Sequence, residues 1–266
     1  MAVEFFEFAK SRIAFRRFGN GPSILLVFHG FGQTGEVFST LDQPLGQHYT
    51  VLAIDLFFHG SSHYKGTSLL TKHDWQKLLE AFCKSENIDR FSLMGFSLGG
   101  RFALAASEQF ADRLDALILI APDGITRSFW YEVATGTAAG RWLFRFFLDH
   151  LSMLNALGHT LTRLGLLNRT VMRFAEISLG TADQRARVYQ SWTQFRLIRP
   201  DLNQISQQLN RHAVTIEFFT GVFDRIVPAY FILPLTRLIY HYKITTLRTG
   251  HNRLIELAGE QLSNEL

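Results

Sequence analysis

Apolar residues gather first in short runs, at residues 3–9, 11–18, 23–28 and 50–54, each bounded by turn-forming residues. Runs of that length predict strands, and the first two, separated by Lys10 alone, predict a hairpin. From Thr71 the period changes: an amphipathic stretch to Ser85 precedes a strand at 91–94, a helix at 98–110 and a strand at 114–120. Buried strands alternating with helices predict an α/β protein with a mostly parallel sheet covered on both faces. Between 124 and 212 the alternation stops. Apolar positions there recur at helical spacing, as at Phe147, Leu151, Leu154, Leu157, Leu161 and Leu164. The βα pattern resumes with a strand at 214–219, a helix from Ala229 to about His241, a strand at 243–247 and a terminal helix after His251. The expected organisation is a core of residues 1–123 and 213–266 interrupted by a helical insertion at 124–212.

Composition adds to this picture in three ways. Of 266 residues, 47% are hydrophobic and 19% charged, against about 25% charged in ordinary soluble domains, which excludes a disordered chain. The single cysteine, Cys83, excludes an intramolecular disulfide and a cysteine-based zinc site, and suits a reducing compartment. The first residues lack the basic and apolar regions of a secretory signal, and the most apolar long stretch, 141–167, is interrupted by Arg145, Asp149, His150 and Arg163. A cytoplasmic location is expected.

The formal charge of +4 is unevenly held. Residues 125–212 contain eleven Arg, no Lys and five acidic residues, a net of +6, leaving −2 for the rest. These Arg are scattered rather than clustered in a run, so nucleic acid is not an expected partner. Contact between this basic segment and an anionic membrane surface stays open.

The chemistry concentrates at strand ends. Gly95-Phe96-Ser97-Leu98-Gly99 lies between a strand and a helix, the context in which G-x-S-x-G forms a nucleophile elbow. A serine hydroxyl needs a base to take its proton and a carboxylate to orient that base. Asp224, in Gly221-Val222-Phe223-Asp224, and His251, in Gly250-His251-Asn252, follow the two late strands and supply both. Asp123, after the strand 114–120, is a competing acid, but Asp123-Gly124 also reads as a turn. The loop Phe28-His29-Gly30-Phe31-Gly32 can aim a main-chain N–H into the same cleft. Phe31 and Leu98 are therefore the candidate oxyanion donors, and His29 is expected to brace the loop.

These motifs resemble the α/β-hydrolase superfamily, and specifically its lidded members. Asp55-Leu56-Phe57-Phe58-His59-Gly60-Ser61-Ser62 is similar to the superfamily's D-x-x-G-H-G-x-S loop, with Phe58 where glycine is usual. The resemblance implies an eight-stranded, mostly parallel sheet flanked by helices, a Ser97-Asp224-His251 triad and a helical lid inserted after the sixth strand. It implies no metal or organic cofactor. The expected reaction is hydrolysis of a small acyl or ester substrate through an acyl-enzyme.

Substrate contacts are expected from Phe96, Arg101, Trp130 and Trp192, with aromatic residues of the insertion lining an apolar pocket. Gly95 to Arg101 also resembles the menaquinone-pathway synthase family, in which arginines receive substrate carboxylates. Arg127, Arg145, Arg196 and Arg199 would assist such a site. The alternatives are thus a lyase or carbon–carbon bond hydrolase acting on an anionic cyclic or diketo acid, and, in another class, a non-catalytic binding protein on the same fold.

Overall fold

The computed structural model describes residues 2–66, 68–126 and 128–266. Eight strands form one sheet: β1 (Glu4–Phe8), β2 (Ser11–Phe18), β3 (Ser23–Phe28), β4 (Tyr49–Ile54), β5 (Phe91–Phe96), β6 (Leu114–Ile120), β7 (Thr215–Gly221) and β8 (Tyr242–Leu247). Their spatial order is β1-β2-β4-β3-β5-β6-β7-β8. The β1–β2 hairpin and the β2–β4 pair are antiparallel, and all other pairs are parallel. The expected eight-stranded, mostly parallel sheet is what the chain forms.

The helices are α1 (Asp42–Leu45), α2 (Lys72–Ser85), α3 (Leu98–Phe110), α4 (Phe129–Thr135), α5 (Ala138–Asp149), α6 (Leu151–Arg163), α7 (Arg169–Ser178), α8 (Ala182–Gln194), α9 (Leu202–Arg211), α10 (Leu233–Thr236) and α11 (Leu254–Ser263). Because side chains alternate across a strand, the central strands bury both faces. Leu25, Val27, Val51, Ala53, Met94, Ile118 and Ile120 share one core with Leu41 and Leu45 and with Leu254, Ala258 and Leu262 of α11. On the opposite face Phe28 meets Trp75 of α2 edge-on at 5.3 Å, and Trp75 meets Phe102 of α3 at 5.0 Å. The indole of Trp75 donates to the Phe102 carbonyl at 3.2 Å, so this buried ring leaves no polar atom unmatched. Helix α2 starts at Thr71, whose hydroxyl accepts from the Asp74 N–H while Asp74 accepts from the Thr71 N–H.

Two compact units emerge, residues 2–126 with 197–266 and residues 128–196. The first holds the sheet. It also holds α9, which packs on α3 although it falls inside the 124–212 stretch read as insertion. The second holds α4 to α8. Its apolar stripe from Phe147 to Leu164 is divided between two helices, because His150, at φ −115° and ψ 60°, leaves the helical region between α5 and α6. No helix among the described residues is long and apolar enough to cross a membrane.

The helix expected from Ala229 to about His241 is much shorter. A 3₁₀ turn at Ala229–Ile232 leads into the single turn of α10. Pro234 has no N–H to donate back to Tyr230. Downstream, Asn210 of α9 takes over the backbone: its amide donates to the Leu238 carbonyl at 2.8 Å and its oxygen accepts from the Tyr240 N–H at 2.9 Å.

Candidate active site

The strand order reverses between β3 and β5, the position at which ligands bind at the carboxyl ends of open α/β sheets. Phe28 and Gly95 are register partners there, which sets the loop after β3 beside the turn after β5.

That turn is tight enough to select its own sequence. Ser97 has φ 51° and ψ −117°, a conformation in the left-handed half of backbone space that costs a side-chain-bearing residue about 1–3 kcal/mol. Its N–H donates to Ile120 at 3.0 Å, and its carbonyl accepts from Gly100 and Asp123, both at 2.9 Å. A Cβ on Gly95 would lie 2.6 Å from the Gly99 carbonyl oxygen, and one on Gly99 would lie 1.9 Å from that of Phe28. Both glycines are therefore required by contact. Ser97 sits at the N-terminus of α3, and its hydroxyl makes no hydrogen bond among the described residues.

The candidate base and acid lie on loops that follow adjacent strands. Gly221 pairs with Leu247 in the β7–β8 register, and beyond it the Phe223 N–H donates to Thr249 at 3.0 Å. This brings the two loops together. His251 Nδ1 lies 2.6 Å from Asp224 Oδ2, and both side chains are almost wholly buried. The second oxygen of Asp224 accepts from the N–H groups of Ile226 at 2.8 Å and Val227 at 3.0 Å. An acceptor held from both sides cannot rotate away, a geometry suited to an imidazole that donates from Nδ1 and leaves Nε2 free to accept.

Phe96, expected to touch substrate, is instead buried in the core. Its ring lies 4.8 Å from that of His251 at 35°, and a Cβ on Gly30 would come within 3.0 Å of it. The side chain points to the sheet face opposite that of Ser97's helix because strand residues alternate. It supports the imidazole from beneath.

The loop after β3 is fixed by neutral histidine. His29 Nδ1 is 2.7 Å from the Gly30 carbonyl, and Nε2 accepts from the Leu56 N–H at 2.9 Å. Burial first, then the neighbouring His59, hold its pKa down to about 3. His29 braces the loop, as its position between Phe28 and Gly30 predicts. Leu56 in turn belongs to the loop organised by Asp55, whose carboxylate accepts from Gly35 at 2.7 Å, Ser61 at 3.1 Å and Arg16 at 2.9 Å. In this loop Phe58 has φ 65°, which explains why glycine is the usual residue there. The main-chain N–H groups of Phe31 and Leu98 have no hydrogen-bond partner among the described residues. Phe31 rests edge-on against His59 at 5.5 Å.

Arg101, one turn into α3, pairs with Asp123 at 2.5 Å and is 10% exposed. Its guanidinium is thus engaged by an acid of the chain, where a free substrate receptor was expected. The same contact separates the two candidate acids, since Asp123 faces Arg101 and Asp224 faces His251. Sequence reading missed this pair, although Asp123 after β6 and Arg101 on the adjoining helix are the signals for it.

Trp130 and Trp192 belong to the helical unit. Trp130 is 60% exposed and meets Phe129 edge-on at 5.4 Å. Trp192 lies inside an aromatic cluster, 5.2 Å from Phe144 and 5.3 Å from Tyr131, whose hydroxyl donates to the Trp192 carbonyl at 2.9 Å. Arg145 lies over the Tyr189 ring at 5.6 Å and near Asp149, and Arg196 donates to the Thr193 carbonyl. Arg199 is exposed in the sheet-bearing unit. Arg127 lies outside the described residues.

A family model described as the alpha/beta hydrolase fold matches residues 23–256. Over 220 residues the chain is 30% identical to a pimeloyl-acyl-carrier-protein methyl ester esterase of Xanthomonas campestris pv. campestris, covering 79% of this chain and 80% of the esterase. It is 34% identical over 116 residues to an uncharacterized protein of Mycobacterium tuberculosis, a match spanning 44% of this chain and only 33% of that relative's length. Among solved structures, a thermophilic esterase from Thermogutta terrifontis with malate bound superposes with a TM-score of 0.69 at 19% identity, covering 100% of this chain and 96% of the other.

Proposed function

The chain belongs to the α/β-hydrolase fold family, and on that premise we propose that it is a serine hydrolase cleaving small carboxylic esters through a Ser97-Asp224-His251 triad. The observation that carries this reading is the 2.6 Å contact from His251 Nδ1 to a carboxylate that is itself held by two main-chain N–H groups, on the same strand edge as a serine in an elbow that only glycines can flank.

The steps follow from those positions. Ser97 Oγ attacks the ester carbonyl carbon as its proton passes to His251 Nε2, and the carbonyl π pair moves onto oxygen. The unpartnered N–H groups of Phe31 and Leu98 receive that oxyanion. Collapse re-forms the carbonyl and breaks the bond to the alcohol, which leaves with the proton from His251. Water then repeats the attack on the acyl-enzyme, with His251 again taking and returning the proton. Asp224 stabilises the imidazolium at each stage.

An ester substrate is supported by the printed name of the Xanthomonas relative. The lyase and carbon–carbon cleavage readings lean on Arg101, whose pairing with Asp123 weakens them. The reading of the helical insertion as a lid is supported by chain order alone, since residues 128–196 follow β6 in the sequence. Hydrolysis of p-nitrophenyl acetate and butyrate tests the reading: wild type should turn both over, and Ser97→Ala should lose activity by about ten-thousand-fold or more. Equal rates would overturn it.

A further inference from the structure

The helical unit contains a charged cleft that the ester chemistry does not use. An open cavity of about 480 Å³ lies between α6 and α7. One wall is His159, Thr162 and Arg163, spaced i, i+3 and i+4 on one face of α6. The other is Arg169, Arg173 and Glu176, spaced i, i+4 and i+7 on one face of α7. Met172 forms part of the lining and lies against Gly158, where a Cβ would be 2.5 Å from the Met172 sulfur. The missing side chain lets the two helices approach and sets the cleft.

Three guanidinium groups thus face a single carboxylate, and that carboxylate is already engaged, with Glu176 Oε1 3.1 Å from His159 Nε2. Among the described residues Arg163, Arg169 and Arg173 have no acidic partner. Several arginines of the sheet-bearing unit do pair with acids, as Arg16 with Asp55, Arg90 with Asp115 and Arg113 with Glu80, and what distinguishes the cleft is three arginines lining one cavity with a single, already engaged carboxylate. Arg169 and Arg173 repel each other at i, i+4, and Arg169 opens α7, where the helix dipole disfavours a cation. An anion in the cleft relieves all of these repulsions at once.

We propose that this cleft binds a phosphate group, held by Arg163, Arg169 and Arg173. A phosphate offers three or more oxygens to several guanidinium forks, whereas one fork already saturates a carboxylate's geometry. The turn beside the cleft is capped by Gly165 at φ 73° and exposes Leu164 by 67% and Leu166 by 71%. Those leucines suit a phosphate that carries hydrocarbon, as in a lipid headgroup, while a soluble phosphate ester needs the arginines alone.

The test uses the full chain, titrated calorimetrically with inorganic phosphate and glycerol 3-phosphate and, separately, sedimented with phosphatidylglycerol vesicles. Arg163→Gln, Arg169→Gln and Arg173→Gln are each compared with wild type, with Arg145→Gln as the control outside the cleft and helical circular dichroism as the check on folding. Saturable one-to-one binding of the soluble probes, weakened about tenfold by each cleft variant and unchanged in Arg145→Gln, supports a free phosphate ester. Vesicle binding alone, lost in the same variants and in Leu166→Ser, supports a lipid headgroup. No binding by wild type in either arm, or an equal loss in Arg145→Gln, overturns the proposal.

Discussion

Asp123 Oδ2 lies 2.5 Å from a guanidinium nitrogen of Arg101, so the acid after β6 is committed to an arginine while the acid after β7 holds the histidine. The two carboxylates should accordingly differ in mutation. Asp224→Asn removes the charge that stabilises protonated His251 and should lower kcat for p-nitrophenyl esters by roughly a thousandfold or more. Asp123→Asn should change it by about threefold at most. The reverse ranking would transfer the triad acid to Asp123.

Arg101 should behave as a brace. Arg101→Ala leaves Asp123 half-buried without its partner, and the main-chain N–H of Asp123 is one of the two that hold the Ser97 carbonyl. Stability should fall by about 1–3 kcal/mol in urea denaturation, with KM for neutral and carboxylate-bearing esters changed alike. A rise of more than about tenfold confined to the anionic esters would instead make Arg101 a substrate receptor.

The elbow glycines offer a steric test. Gly99→Ala places a methyl group 1.9 Å from the Phe28 carbonyl oxygen, a backbone atom that cannot rotate aside. The expected loss is on the order of 3 kcal/mol, together with loss of turnover as Ser97 is displaced. Wild-type stability in this variant would mean that the turn is looser than its contacts require.

His29 should contribute acid sensitivity. Its folded pKa is about 3, below the roughly 6.5 of an unfolded histidine, so the unfolded chain binds a proton that the native chain refuses. Its stabilising contribution is complete above pH 6.5 and is lost as pH falls toward 3, by up to about 1.4 kcal/mol per pH unit. Between pH 7 and pH 5 wild type should lose about 2 kcal/mol more than His29→Asn, read from urea midpoints at the two values. Parallel losses would show that His29 titrates normally.

Much of this molecule is visible in one dimension. Runs such as 23–28 and 114–120 match β3 and β6 to the residue, because strands with parallel neighbours on both sides and helices over both faces leave largely continuous apolar runs. Ser97 and its glycines are legible because the elbow tolerates almost nothing else. What escapes is contact between distant segments. Nothing local marks Asn210 as the side chain that ends the helix after Pro234, or Phe96 as the support beneath His251. The Arg101–Asp123 pair is likewise created by the return of the chain from β6 to α3, and a reading of Arg101 by motif alone sees a cation and supplies it with a substrate.

The account rests on Ser97 being the atom that takes the acyl group, and covalent labelling reads this directly. Wild-type protein treated with a fluorophosphonate should gain one adduct by intact mass, mapped to the peptide carrying Ser97. Labelling should be absent in Ser97→Ala and slowed at least a hundredfold, roughly, in His251→Ala, whose serine has lost its base. Equal labelling of wild type and Ser97→Ala, or an adduct on any other residue, would contradict the triad.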